Sequence, residues 1–340
     1  MTTRKLSSTD AFVVVDLPDA PIAAGVVRLA PKILVDGAAW LARSQTYQFA
    51  AFGRMASGAS AGINARIDER AEAIGAFTAE LSEEVSGGRL ALEAGRGLSL
   101  EDLAGLQAGD ARPDEWWAER DELRAAGIAS AASVAVGGSL DGRTVALEGV
   151  DRVGLVLVRA LAERGASVIS IGTSAGSVIA SAPLDPAALE AGWLEHGAEM
   201  VTVLDGEQGS PGAVLGAAVD VVFVGSKAGV LDHELTGAVT ASVVVPSGPI
   251  PVTAKALADL RRAGVTVLPD FVVTGGHLVA WPTDGTAPAG DLRAAAAESV
   301  AGVLAEVMDH PAGPLLGACE RAEAFLATWC AELPFGRPLA

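Results

Sequence analysis

Lysine is scarce in this 340-residue chain. Only Lys5, Lys32, Lys227 and Lys255 are present, so chemistry that needs an amine has few places to reside. Cations as a whole are outnumbered, 24 Lys and Arg against 42 Asp and Glu. A net charge of −18 without clustered cations excludes nucleic acid and anionic membranes as partners, because a polyphosphate surface is bound through such clusters. The two cysteines, Cys319 and Cys330, have neither metal-ligand spacing nor a disulfide framework around them, and read as reduced structural thiols of a cytoplasmic protein. Four histidines are scattered and none forms HExxH, so no metal site is expected. The N-terminal stretch MTTRKLSSTDAFVVVDL has no apolar core before a cleavage site, and no apolar run is long enough to span a bilayer. The expectation is a soluble protein.

What is abundant is small and apolar. Half the residues are hydrophobic and only 4% aromatic, so alanine, valine and leucine must fill the interior, which suits helices on a buried parallel sheet. The length allows two domains. AFVVVDL (11–17) and IAAGVVRLA (22–30) read as strands, and 35–53 and 70–85 have helical spacing. The polar, tryptophan-bearing stretch 109–127 interrupts the pattern, with helical character returning towards its end, and the hinge between domains is placed just after it, with Trp116 and Trp117 as a hinge or interface anchor. From residue 142 strand and helix alternate, with strands expected at 219–225, 241–247 and 265–270 and helices at 291–309 and 315–331. The fold class is therefore α/β with two domains: an N-terminal α/β domain over 1–130, a Rossmann-like doubly wound parallel sheet over 131–285, and C-terminal helices over 286–340 that pack back.

After the strand TVALE, the stretch GVDRVG (149–154) stands where a dinucleotide fingerprint GxGxxG would open a helix. Gly149 and Gly154 are in place, but the middle glycine is Asp151, whose carboxylate takes the pyrophosphate's space and repels it. The acid that grips the adenosine ribose is also missing, because the second strand ends at Gly172 and Thr173. Two readings stay open: a structural βαβ unit without ligand, or a weakened NAD(P) site built from Gly149, Asp151, Arg152, Val153, Gly172, Thr173, Ser174 and Lys227.

Taken in order along the chain, PIAAGVVRL (21–29), LARSQTYQFAAFGRMASGASAGI (41–63), GRTVALEGVDRVG (142–154), SGPIPVTAKA (247–256) and GVTVLPDFVVTGG (264–276) resemble the glutamate/leucine/phenylalanine/valine dehydrogenase family. PDFVVTGG is the most specific of these, and the length is closest to the leucine and phenylalanine branch. The resemblance implies a substrate domain whose helix carries one lysine that holds the substrate carboxylate, and whose glycine-rich loop carries a second lysine that acts at the α-carbon. At those places this chain has Gln48 and Ser60. It also implies an aspartate near LALEAGRGL (90–98), where Gly95 stands with Glu93 nearby, and asparagines where Pro249 or Ile250 and Thr274 stand. Neither Gln48 nor Ser60 titrates near neutral pH, so the family's acid/base chemistry is not expected.

The expected function is thus a divergent, catalytically inactive or repurposed amino acid dehydrogenase homologue that retains a small-molecule cleft between its domains. The alternative is an NAD(P)-dependent oxidoreductase on a small substrate that is not an α-amino acid, with Gln48, Ser60, Thr274 and His277 as cleft residues. A minor alternative is a serine hydrolase through GTSAG (172–176), with Ser174 as nucleophile and His233 beside Asp232, or His277 after Asp270, as partners. The resemblance further implies a homo-oligomer, at least a dimer. The two apolar strand candidates agree with that, since an unpaired apolar edge is normally covered.

Overall fold

The computed structural model describes residues 1–110, 112–281 and 290–339. The chain divides into two compact units. The first is Met1–Trp117 with Cys319–Pro338, and the second is Ala118–Trp281 with residues 290–318.

In the first unit β1 (Thr2–Lys5), β2 (Ala11–Val15), β3 (Ala23–Ala30), β4 (Ser57–Asn64) and β5 (Leu90–Ala94) form a sheet in the order β1-β2-β4-β3-β5. β2 runs antiparallel to β1 and β4, whereas β3 is parallel to both β4 and β5. Side chains alternate across the sheet. Phe12 and Val14 pack on Ala38 and Ala42 of α1 (Val35–Ala51), while Val13, Val27, Ala61 and Leu92 pack on Phe77 and Leu81 of α2 (Arg70–Ser86). The short α3 (Ala104–Gln107) follows β5. Two expectations change here. The glycine- and serine-rich stretch expected as a loop is the strand β4, and β2 and β3 are both interior, so the edges of this sheet are β1 and β5.

β4 works as a strand because small residues let a helix lie on it. A Cβ at Gly58 would stand 1.8 Å from the Ala42 carbonyl oxygen of α1, and the Gly58 N–H donates to Thr46 Oγ1 at 2.9 Å.

The tryptophan pair serves a charge. The Arg112 guanidinium is buried, bonded to Asp110 at 2.8 and 2.7 Å and to Glu93 at 3.4 Å, and it lies 4.3 Å from the ring centroids of both Trp116 and Trp117. A buried cation persists when it is paired and stacked in this way. The helix that follows, α4 (Asp114–Ala135), begins within the stretch expected to be irregular, and the chain leaves the first unit along it, after Trp117.

The second unit holds β6 (Thr144–Leu147), α5 (Gly154–Ala162), β7 (Ser167–Gly172), β8 (Ser177–Ile179), α6 (Pro186–His196), β9 (Glu207–Gly209), β10 (Val221–Val224), β11 (Val243–Pro246), α7 (Ala254–Arg262), β12 (Thr266–Val267), α8 (Asp270–Val273) and α9 (Leu292–Val307). Its sheet has the order β12-β11-β10-β6-β7-β8-β9, with β12 to β7 parallel and β8 and β9 antiparallel additions. β10 and β11 are buried along their whole length, as valine-rich runs between two helical layers are. Asp185, Thr253 and Asp291 cap the starts of α6, α7 and α9. The α/β class with two sheets holds, and among the described residues no helix is long and apolar enough to cross a membrane.

The chain returns to the first unit within α10 (Pro314–Leu326), from Cys319 onward. There α1 holds the tail. Tyr47 donates to Glu323 at 3.0 Å, Arg321 to the Ala51 carbonyl at 3.1 Å, and Arg43, itself in a buried pair with Asp16 at 2.7 and 2.8 Å, to the carbonyls of Phe335 and Gly336. Arg337 closes a fork on Glu323 at 2.7 and 2.8 Å. That fork, helped by the Tyr47 hydroxyl, holds the Glu323 carboxyl below the usual carboxylate range. Burial, then the neighbouring Glu323 charge, pushes the Tyr47 phenol well above its ordinary value.

Three outcomes follow. Gly58→Ala should destabilise the protein by about 1–3 kcal/mol through overpacking. Gly75→Ala on α2, where a Cβ meets nothing within 4 Å, should instead stabilise by about 0.5–1 kcal/mol; urea unfolding of the two variants checks both signs. The contribution of Glu323 is complete above the ordinary carboxylate value and is lost as pH falls through its lowered folded value. Amide protection over 330–338, taken relative to the intrinsic exchange rate at each pH, should therefore fall on acidification, and the Glu323→Gln variant should lose that pH dependence.

Candidate functional site

In the first unit, α1 carries Thr46, Tyr47 and Gln48, and β4 carries Ser60. All four are buried. Thr46 accepts from Gly58, Tyr47 is committed to Glu323, and the Gln48 Oε1 accepts from Gln45 at 2.7 Å. Ser60 pairs with Val14 across the ladder, so it shares the face that α1 covers, and its hydroxyl is fully buried without a hydrogen-bond partner. Glu93 on β5 is engaged with Arg112. Every one of these side chains is a neutral hydrogen-bonding group or a paired charge.

In the second unit the strand order reverses at β6, whose neighbours are β7 on one side and β10 on the other. Ligands of open parallel sheets bind in the crevice beyond the carboxyl ends of the strands at such a point. Three predicted stretches meet there. The Val150 N–H donates to the Gly172 carbonyl at 2.7 Å, which joins the β6–α5 turn to the end of β7. Gly149 has φ +77°, and a Cβ on it would stand 2.4 Å from that of Ser226, which brings in the loop after β10. Lys227 lies exposed on that loop, and Arg152 is exposed on the turn. Val153 is half-buried ahead of α5.

Sequence reasoning missed Glu148. It follows β6, is buried, and accepts through Oε2 from the N–H groups of Gly225 at 3.0 Å and Ser226 at 3.1 Å. The signal was present as a carboxylate closing an otherwise apolar strand. Asp151 behaves similarly: its Oδ1 accepts from Gly154 N at 2.8 Å, at the start of α5. Three backbone donors at this crevice, those of Gly154, Gly225 and Ser226, are thus bonded to the chain's own carboxylates.

GTSAG is not a nucleophile elbow. That motif needs a strand turning into a helix, whereas here β7 turns into the antiparallel β8, closed by the Thr173 N–H on the Gly176 carbonyl at 2.8 Å, with Ser174 exposed at the tip. Asp232 accepts from the Glu234 and Leu235 N–H groups as a turn cap, and His233 is exposed beside it. The hydrolase alternative loses its geometry.

Thr274 and His277 lie buried after α8. The Thr274 hydroxyl donates to the Asp270 carbonyl at 2.8 Å, and the His277 Nδ1–H to the Thr274 carbonyl at 3.1 Å. Asp270 Oδ2 in turn accepts from Ile250 N at 2.7 Å. Ile250 has φ 49°, and among the described residues it is the sole non-glycine residue with positive φ. Of the two residues standing where the resemblance implies an asparagine, Ile250 rather than Pro249 therefore takes the left-handed conformation that asparagine favours.

A nicotinamide dinucleotide does not fit this crevice as built. Its pyrophosphate needs N–H groups at the start of α5, where the Asp151 carboxylate already takes that of Gly154 and sets a negative charge beside the rest. At the ribose position no acid follows β7, and the Thr173 hydroxyl is turned away, donating to the Ala198 carbonyl at 2.7 Å. Among the described residues no group of three or more His, Cys, Asp or Glu is placed to hold a metal ion.

Comparison with known proteins agrees with the fold and places the chain among its relatives. A sequence model of the Glutamate/Leucine/Phenylalanine/Valine dehydrogenase family matches residues 120–281. The NADP-specific glutamate dehydrogenase A1 of Halobacterium salinarum is 33% identical over 139 residues, which cover 40% of this chain and 33% of that protein. The chain therefore matches about a third of that relative's length. Among solved structures, the hetero-hexameric glutamate dehydrogenase of Thermus thermophilus superposes with a TM-score of 0.76 at 23% identity, covering 94% of this chain and 86% of that one. The L-tryptophan dehydrogenase of Nostoc punctiforme does so at 0.64 and 18%, covering 96% of each chain. Through residues 120–281 the chain is similar in sequence to the glutamate/leucine/phenylalanine/valine dehydrogenase family.

Proposed function

We propose that this chain is a divergent member of the family that has lost amino acid dehydrogenase chemistry and serves another small-molecule or regulatory role in the cytoplasm. The observation that carries the reading is the pair Gln48 and Ser60. Both are buried at the positions where the resemblance implies lysines, and neither side chain can exchange a proton near neutral pH. Loss of a positioned acid or base removes about 10²–10⁴-fold in rate. No turnover of leucine, valine, phenylalanine, glutamate or tryptophan with NAD⁺ or NADP⁺ is expected; measurable oxidation of any of them overturns the reading.

A second element of the reading is assembly. β1 is exposed along its length and is an edge of its sheet, so its outer backbone groups are available to another strand. The hetero-hexameric state of the Thermus thermophilus relative supports a role as a subunit, either with copies of itself or beside an active partner. The simpler form, a homo-oligomer, predicts a multiple of 34.2 kDa in light scattering across a concentration series. A mass of 34.2 kDa at every concentration would sink it.

A further inference from the structure

The turn between β6 and α5 keeps the backbone path of a phosphate-binding turn but is complete without a phosphate. Gly149 takes positive φ and lets Ser226 approach, as the first glycine of such a turn must. Two residues later, at the place where backbone should meet pyrophosphate, Asp151 folds its side chain onto the start of α5. Its Oδ1 takes the Gly154 N–H at 2.8 Å, and its own carbonyl takes the Leu155 N–H at 3.1 Å. This is the reach of an N-cap, from a side-chain acceptor to the backbone donor three residues on. The helix dipole, which would favour a bound anion, is satisfied by the same carboxylate. A dinucleotide entering here has to displace a fixed negative charge from the donors it needs, and then lie beside that charge.

The neighbouring donors are in the same condition. Glu148 holds the N–H groups of Gly225 and Ser226 on the adjoining loop. Unlike Asp151, it is buried, and its bonds tie β6 to β10, so it belongs to the frame of the crevice. Asp151 is exposed and holds only its own helix. Its removal costs the sheet nothing, takes a fixed charge away from the helix start and frees the Gly154 N–H.

We propose that Asp151 is the residue that excludes dinucleotides from this unit, acting as a built-in anion at the α5 N-terminus. The inference deepens the reading above and rests on it, in that a family member without the family's chemistry has no use for the cofactor.

Titration of the full chain with NADH and NADPH, followed by nucleotide fluorescence and calorimetry, tests it. Wild type should show no saturable binding up to about 1 mM. Asp151→Gly should bind at least about tenfold more tightly than that limit. Asp151→Ser, which keeps an N-cap acceptor but removes the charge, guards against a folding defect and should also bind. Micromolar binding by wild type overturns the proposal, and so does silence of both variants when circular dichroism shows them folded. Amino acid turnover by wild type is measured on the same preparation. It bears on the functional reading alone, so the two failures are distinguishable.

Discussion

The first unit depends on how closely one helix approaches one strand. Because Gly58 has no side chain, α1 lies with the Ala42 carbonyl almost on the β4 backbone, and the Thr46 hydroxyl fixes the helix along its axis by accepting from the Gly58 N–H. That register decides what the other faces of α1 meet. Arg43 reaches Asp16 and the tail carbonyls, and Tyr47 reaches Glu323. It also limits position 60. With α1 drawn so near, the face of β4 carries Gly58, Ser60 and Gly62, and the serine between the two glycines is sealed so completely that its hydroxyl meets no hydrogen-bond partner in the protein. An unmade hydrogen bond of this kind costs about 1–3 kcal/mol. The packing around it has to exceed that cost.

The second unit answers a different question: what satisfies the backbone donors at the ends of parallel strands when no ligand is bound. In a phosphate-binding sheet those N–H groups face the crevice and gain from an anion. Here Asp151 and Glu148 take them, one at a helix start and one between two strands. An anionic side chain at a helix N-terminus contributes about 0.3–1 kcal/mol. A fixed carboxylate supplies it at every ligand concentration. The turn therefore carries this stabilisation in its own sequence.

Much of the fold was legible because apolar periodicity reports burial directly. AFVVV, VVFV and VVVP are strands as their valine content suggests, and the helices at 35–51 and 292–307 follow their alanine and leucine spacing. SGASAGIN was misread because its strand character comes from what lies on it. Glycine and serine have low strand propensity, and only the tertiary approach of α1 makes them the right residues there. The GTSAG turn was ambiguous for a related reason, since a glycine-flanked serine after a strand suits a hairpin as well as an elbow, and the choice is made by the β8 partner further along. Of the candidate site, the place of Asp151 at the start of a helix could be read from spacing alone. Its capping bond, the Glu148 bridge and the cradle around Arg112 could not, because each joins segments whose proximity is a property of the folded sheet.

Ile250 shows that backbone and chemistry can separate. A β-branched residue in the left-handed region carries strain of about 1–3 kcal/mol, and it persists only when its surroundings over-determine it. They do: its N–H is held by Asp270, its carbonyl by the Gly229 N–H, and its side chain is buried. An asparagine or glycine would relax the same conformation without altering those two bonds. Side chains at such a position are exchanged one at a time, whereas the loop path is set jointly by Asp270, Gly229 and the strands that carry them. The path is therefore the harder of the two to change, and it remains here with a residue that neither favours the conformation nor offers a polar group.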